Sequence, residues 1–313
     1  MSNRCLVAVT SRSFSKNPVL REELLQRYPN TRFNDEGKSL AGDELVAFLQ
    51  GAEKAITALE KIDESVISKL PDLKALGKYG VGTDMIDMQA LRKHGVRFGW
   101  KGGVNRRSVS ELTLTFMISL LRHIPYAHDE VRAGRWRQIV GRELSGRTVG
   151  IIGCGHVGKD VAQLVKVFGC PVLSHDIRDF PEFYRTHDIQ PVDLGTLLRQ
   201  VDVVTLHVPL DDSTRGMIGA AELACMKPEA ILINAARGGI VDELALKDCL
   251  KHQRIAGAAL DVLAVEPPQD EELFALPNLL LTPHIGGSSE EAVLAMGRAA
   301  IAGLDENAIP AEI

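Results

Sequence analysis

The sequence predicts an α/β protein of two doubly wound, parallel-sheet domains, one at residues 100–287 and a discontinuous one of 1–99 plus 288–313. Three observations carry that prediction. Short apolar runs alternate with helix-spaced segments, the pattern of β-α-β units with right-handed crossovers. A glycine-punctuated turn at 153–158 joins one such run to one such helix. A length of 313 residues also lets each of two domains bury its own core.

Taken in order, Cys5 to Thr10 reads as a first strand and Pro18 to Tyr28 as a helix opened by proline in its first turn. Asp43 to Gln50 is a helix, Ala55 to Leu59 a strand, and Asp63 to Leu70 a helix capped by Asp63. Leu73 to Gly77 follows as a strand, then the turn-rich Gly80-Val-Gly-Thr-Asp84, a helix to about Lys93 and a short strand at Val96 to Phe98. From Ser108 to His123 the apolar residues Leu112, Leu114, Phe116, Met117, Ile118, Leu120 and Leu121 surround the helix almost completely. Such a helix is expected to be buried, here between subunits or domains, and Pro125 to Gly134 continues as a second one. Further strands are expected at Val149 to Ile152, Pro171 to Ser174, Val203 to Leu206, Ile231 to Asn234, Ala256 to Leu260 and Leu279 to Leu281. A closing helix, Ser289 to Leu304, is expected to return to the first domain.

The turn at 153–158 has the spacing G-x-G-x-x-G. Gly153 can take the positive φ of a tight turn, Gly155 admits a pyrophosphate close to the backbone, and Gly158 lets helix and strand pack closely. The helix that follows, with Val157, Val161, Leu164, Val165 and Phe168 on one face, would offer its free N–H groups to phosphate. Asp176 ends the next apolar run, where an acid can accept hydrogen bonds from a ribose diol and repel a 2′-phosphate. The cofactor expected is therefore NAD rather than NADP, with Arg178 read as a solvated loop residue.

Composition narrows the partners. The chain is 45% hydrophobic and 25% charged with a formal charge of −5, so no basic field exists to hold nucleic acid. No apolar segment approaches the roughly 20 residues that span a bilayer, and Cys5 to Val9 is too short for a signal-peptide core. The five cysteines, at 5, 154, 170, 225 and 249, have neither disulfide-framework nor metal-ligand spacing, so no metal is expected and the cytoplasm is the expected compartment.

Every polar group of interest follows the carboxyl end of an expected strand, where parallel sheets bind ligands. Among these Arg237, Glu266 and His284 form a chemical set. Hydride exchange between a hydroxy acid and nicotinamide needs a cation for the carboxylate, a proton acceptor for the hydroxyl and a carboxylate behind that acceptor. Arginine supplies a bidentate clamp, histidine an acid and base near neutrality, and glutamate a partner for the imidazole.

These residues sit in motifs that resemble the NAD-dependent D-isomer-specific 2-hydroxyacid dehydrogenases, which include phosphoglycerate dehydrogenase. The motifs are Gly80-Val-Gly-Thr-Asp84, Ser108-Val-Ser-Glu-Leu112, Gly153-Cys-Gly-His-Val-Gly158, His207-Val-Pro-Leu210, Asn234-Ala-Ala-Arg-Gly-Gly-Ile-Val-Asp242, Ala259-Leu-Asp-Val262 with Glu266-Pro267-Pro268, and Thr282-Pro-His-Ile-Gly-Gly287. The resemblance implies two Rossmann-like domains with the active site in the cleft between them, usually as a homodimer, here through the helices near 108–134. It implies His284 as acid and base, Glu266 as its orienting partner, and Arg237 as the clamp on the substrate carboxylate. Val81 and Gly82 would hold that carboxylate through their backbone. Around the cofactor it places His156 and Val157 at the pyrophosphate and Asp176 at the ribose, with His207, Val208, Pro209, Thr214, Ala235, Ala236, Asp261 and Gly287 around the remainder.

Departures from the family pattern bear on the substrate. Thr57-Ala58 stands where phosphoglycerate-type members carry an Arg-Ser pair, which weakens a phosphorylated substrate. Gly99-Trp100-Lys101-Gly102 replaces Asn-Thr-Pro-Gly, so Trp100 and Lys101, with Arg106, either line a pocket for a bulkier or more acidic acid or hold a hinge. No regulatory domain is expected after residue 313, so feedback by serine is not expected. A nucleotide-sensing scaffold resembling the family's transcriptional corepressor is the alternative to an enzyme. A formate-type activity is disfavoured because Glu266 stands where a glutamine is expected.

Overall fold

The computed structural model describes residues 5–311, and the chain divides into two compact units, Met1–Asn105 with Gly287–Ile313, and Arg106–Gly286. The first unit is built on β1 (Val7–Val9), β2 (Thr31–Phe33), β3 (Lys54–Thr57), β4 (Ala75–Lys78) and β5 (Arg97–Gly99). These five strands are parallel in the order β2-β1-β3-β4-β5. Between them run α1 (Arg12–Lys16), α2 (Pro18–Arg27), α3 (Gly42–Leu49), α4 (Glu64–Ile67) and α5 (Met88–Lys93). Helix starts follow the expected chemistry. Asn17 accepts from the Leu20 amide with Pro18 behind it, and Asp63 accepts from the Ser65 amide. Hydrogen bonds from Ser65 and Lys61 hold the Asp63 carboxyl at about 2.

Strand β4 sits further along the chain than the expected Leu73 to Gly77 and carries Lys78 into the interior, 3% exposed. A lysine ordinarily marks the end of a buried strand. Here its ammonium donates to the carbonyls of Ala58 and Tyr79, which compensates for lost water.

The second unit opens with α6 (Arg106–Leu121) and α7 (Ile124–Arg132) and continues through β6 (Val149–Ile152), α8 (His156–Val167), β7 (Val172–His175), α9 (Pro181–His187) and β8 (Ile189–Pro191). It closes with α10 (Leu194–Gln200), β9 (Val203–Leu206), α11 (Ala220–Cys225), β10 (Ile231–Asn234), α12 (Glu243–Lys251), β11 (Gly257–Leu260), α13 (Glu271–Phe274) and β12 (Leu279–Leu281). The seven strands are parallel in the order β12-β11-β10-β9-β6-β7-β8. The central strands β6, β9, β10 and β11 are buried along their whole length, which is why they read as uninterrupted apolar runs. The order reverses at β6, so the crevice at its carboxyl end lies at a topological switch point.

Within this chain α6 is covered on one side, which leaves its other side to the expected contact between subunits or domains. Val109, Phe116, Met117 and Leu121 enter the core beside β6 and β10, while Leu112, Leu114, Ile118 and Leu120 are only partly covered. The last helix, α14 (Glu290–Gly303), belongs to the first unit and packs on β4 and β5. Gly99 makes that approach possible, since a Cβ there would stand 2.0 Å from the Gly303 carbonyl oxygen. Among the described residues no helix is long and apolar enough to cross a membrane.

Candidate active site

The turn between β6 and α8 is held by the strands beside it. Gly153 has φ +94°, its N–H donates to the His175 carbonyl at 2.8 Å, and a Cβ there would collide with the His207 backbone at 2.7 Å. A Cβ on Gly158 would stand 2.0 Å from the Gly153 carbonyl oxygen, so the helix starts hard against the strand end. Gly155, by contrast, caps α8 without a side-chain hydrogen bond, and a Cβ there would meet nothing within 4 Å. An uncapped helix start beneath open space fits a phosphate-bearing cofactor, because its N–H groups need an acceptor from outside. Asp176 closes the turn: one carboxylate oxygen accepts from the Cys154 amide at 2.6 Å and the other from the Arg178 amide at 2.8 Å. Each oxygen keeps a lone pair for a further donor.

The loops after β10, β11 and β12 bring the ionisable set together. The Glu266 carboxylate accepts from the Leu263 amide at 3.0 Å through one oxygen and meets His284 Nδ1 at 2.9 Å through the other. Both side chains are 39% exposed, so the pair is open to a ligand. His284 itself sits at φ +55°, a left-handed conformation that costs a non-glycine residue on the order of 1–3 kcal/mol and marks functional sites. Asp261, 2% exposed, holds it there. Its carboxylate accepts from the Thr282 hydroxyl at 2.5 Å and from the Ile285 and Gly286 amides at 2.8 and 2.7 Å, while its carbonyl accepts from the His284 amide at 2.8 Å. Arg237 is half-buried after β10, with Nη1 on the Ala236 carbonyl at 2.7 Å. Its neighbour Gly238 seats that loop against the glutamate's loop, since a Cβ on Gly238 would stand 1.9 Å from the Leu263 carbonyl oxygen.

Residues 114–286 match the family model of the D-isomer specific 2-hydroxyacid dehydrogenase, NAD binding domain. The chain belongs to that family. Its NAD-binding domain is the second unit, and NAD is its cofactor. It is 38% identical to a D-3-phosphoglycerate dehydrogenase of Methanocaldococcus jannaschii over 82% of this chain and 50% of that one. It is 40% identical to a glycerate dehydrogenase of Methylorubrum extorquens over 80% and 81%. The chain thus spans about half the length of the phosphoglycerate dehydrogenases it matches. Among solved structures, D-lactate dehydrogenase from Aquifex aeolicus, complexed with NAD and lactic acid, superposes with a TM-score of 0.83 at 25% identity over 95% of this chain and 93% of that one. For D-2-hydroxyisocaproate dehydrogenase the values are 0.83, 27%, 96% and 95%.

The chain places its other sequence-predicted residues unevenly. His156 and Val157 open α8, and Ala235 and Ala236 follow β10 directly. His207 follows β9 with Nε2 3.0 Å from the Thr205 hydroxyl, and burial pushes its imidazole down to about 3, which keeps it neutral. Val208 lies against Gly153, and Pro209 and Thr214 form one turn in which the threonine hydroxyl donates to the Pro209 carbonyl at 2.7 Å. Gly287 begins the returning segment of the first unit, where Val81, Gly82, Lys101 and Trp100 also lie, and Arg106 is the first residue of α6. Trp100 donates its indole N–H to the Val81 carbonyl at 2.9 Å.

Three organising residues were not anticipated. Asn234, 1% exposed, donates to the Arg237 carbonyl at 2.8 Å and accepts from the Ala236 amide at 3.1 Å, which shapes the arginine loop. Thr282 secures Asp261, and Ser108 donates to the Gly286 carbonyl at 2.6 Å. The available signal was a polar residue closing an otherwise apolar run, as Asn234 closes Ile231 to Ile233.

Proposed function

We propose that the protein is an NAD-dependent oxidoreductase for a short, non-phosphorylated D-2-hydroxy acid and its 2-keto acid, working in the cytosol as a homodimer. The observation that carries this reading is the Glu266–His284 pair at 2.9 Å, exposed on a strained loop beside the Arg237 loop. Glutamate on Nδ1 fixes one tautomer and leaves Nε2 as the atom that exchanges a proton with substrate.

In the oxidising direction Nε2 of His284 takes the hydroxyl proton as the carbonyl forms, and the resulting imidazolium is stabilised by Glu266. In the reducing direction the same nitrogen returns the proton to the carbonyl oxygen. Bound NAD supplies the two-electron chemistry by accepting or giving the hydride at carbon 2. The Arg237 guanidinium holds the carboxylate and, in the transition state, the oxygen that gains charge. The backbone of Val81 and Gly82 would offer N–H donors to the carboxylate, and Lys101 and Arg106 would contribute positive charge to its binding. The G-x-G-x-x-G turn at the start of α8 would hold the pyrophosphate, and Asp176 would accept from the ribose.

Relatives and the chain after β3 support that substrate class. Relatives bear the names glyoxylate reductase, glycerate dehydrogenase and hydroxypyruvate reductase beside D-3-phosphoglycerate dehydrogenase. After β3 this chain has Ala58 and a 72% exposed Leu59, which supply no cation for a phosphate.

The test is loss of NADH absorbance with glyoxylate, hydroxypyruvate, 3-phosphohydroxypyruvate and longer 2-keto acids. Turnover is expected for the first two and weakest for the phosphorylated acid. NADH binding with no turnover on any acid would overturn the reading in favour of a sensing scaffold.

A further inference from the structure

The loop that follows β4 contains Gly80, Val81 and Gly82, with Gly80 at φ +109°. Both of its inward carbonyls are taken by side chains. The Tyr79 carbonyl accepts from the Lys78 ammonium at 3.2 Å, and the Val81 carbonyl accepts from the Trp100 indole N–H at 2.9 Å. The N–H groups of Gly80, Val81 and Gly82 pair with no acceptor among the described residues.

A trans peptide unit is planar, with its C=O and the following N–H on opposite sides. Pinning the Val81 carbonyl on the indole therefore turns the Gly82 N–H away from Trp100. Pinning the Tyr79 carbonyl on Lys78 does the same for the Gly80 N–H. The loop is left offering donors rather than acceptors, and successive N–H groups in a turn make an anion-binding concavity. Without the indole the Val81–Gly82 peptide could rotate, since glycine imposes little torsional resistance. A carbonyl oxygen would then face an incoming carboxylate.

We propose that Trp100 is a positioning residue for the substrate carboxylate, holding the Val81–Gly82 peptide so that the Gly82 N–H is presented to the anion. This rests on the 2-keto acid reaction proposed above and assigns part of its carboxylate recognition. Trp100, 47% exposed, acts through its hydrogen bond to the loop, so its effect is expected on substrate binding and not on the chemical step.

The experiment compares the parent enzyme with Trp100→Phe, which keeps an aromatic ring and removes the N–H. For glyoxylate or hydroxypyruvate, KM is expected to rise roughly two- to tenfold, the worth of one neutral hydrogen bond, with kcat, NADH affinity and the thermal midpoint unchanged. An unchanged KM overturns the proposal. So does a KM rise accompanied by equal loss of NADH affinity, which would mean general damage. Arg237→Lys run alongside separates the two readings: if it leaves KM and kcat intact, the carboxylate-clamp reading fails as well. A second arm needs no turnover. The chain has two tryptophans, so in Trp136→Phe the remaining emission comes from Trp100. Oxalate added in the presence of NAD is expected to change that emission saturably. No change overturns the proposal, whether or not an acid is reduced.

Discussion

At His284 two constraints meet in one side chain: a left-handed backbone and a ring held by Glu266. The four hydrogen bonds that Asp261 makes to residues 282–286 are what hold the histidine in a conformation it would not adopt alone. Asparagine tolerates the same region, so His284→Asn separates chemistry from loop shape. We expect kcat to fall by about 10²–10⁴, the usual share of general acid–base catalysis, with the thermal midpoint and NADH affinity close to the parent's. Steady-state kinetics with fluorescence titration of NADH checks this, and a kcat within a few-fold of the parent would remove His284 from the reaction. His207 offers a different test. Its folded value of about 3 lies below the ordinary 6.5, so the native state holds the ring neutral while the unfolded chain takes up a proton. The contribution is fully present above pH 6.5 and is lost as pH falls from there toward 3. His207→Gln removes it, so the parent should lose roughly 1–3 kcal/mol more stability than the variant between about pH 7 and pH 4. Urea titrations at both pH values check this, and parallel losses would contradict it.

Among the elements, the β6–α8 unit turns sequence spacing into a binding surface, and its glycines separate into two kinds. Gly158 is needed for packing: alanine there would drive a Cβ to 2.0 Å from a carbonyl oxygen and should destabilise the fold by about 1–3 kcal/mol. Gly155 faces open space, so Gly155→Ala should fold with the parent's thermal midpoint and still lose NADH affinity, because the added methyl occupies the room above the helix start. Calorimetric melting paired with NADH titration distinguishes the two; unaltered NADH affinity in Gly155→Ala would move the pyrophosphate elsewhere. The same unit shows what was legible. The buried strands Val149–Ile152, Val203–Leu206 and Ile231–Asn234, and the half-buried edge strand Leu279–Leu281, were bounded correctly because an apolar run between turn residues leaves little choice. The strands not anticipated, β2 and β8, are three-residue sheet edges, and β8 ends in Pro191, which only an edge tolerates. Arg237, Glu266 and His284 were legible by their place after strands. Asn234, Ser108 and Thr282 were not, because their work lies in hydrogen bonds that only the folded loops reveal: to the Arg237 carbonyl, the Gly286 carbonyl and the Asp261 carboxylate.

For the whole molecule, the outer side of the second unit's first helices is the surface that asks for a partner. Ile124, Tyr126 and Val131 on α7 are 49%, 39% and 49% exposed, and beyond it Trp136 and Val140 reach 87% and 92%. On α6 Leu112, Leu114, Ile118 and Leu120 are only partly covered. Apolar residues this exposed in one stretch exceed what a monomer ordinarily presents. The stretch is also held in shape, since the buried Glu130 carboxylate takes Arg135 through two bonds of 3.0 and 2.5 Å. A second copy meeting the same face by two-fold symmetry would cover it on both chains at once, and a stable pair needs about 1,200–2,000 Å² in total. Sedimentation equilibrium is therefore expected to give twice the chain mass of 34.1 kDa. Trp136→Arg with Val140→Glu places charges at the two most exposed apolar positions. The pair of substitutions should weaken dimerisation by at least about 100-fold, since each desolvated charge costs several kcal/mol, while circular dichroism of the isolated chain stays unchanged. Trp136→Phe, which keeps an apolar ring, should remain dimeric. A parent protein that sediments at the single-chain mass at micromolar concentration would rule the dimer out and leave this apolar stretch to another partner.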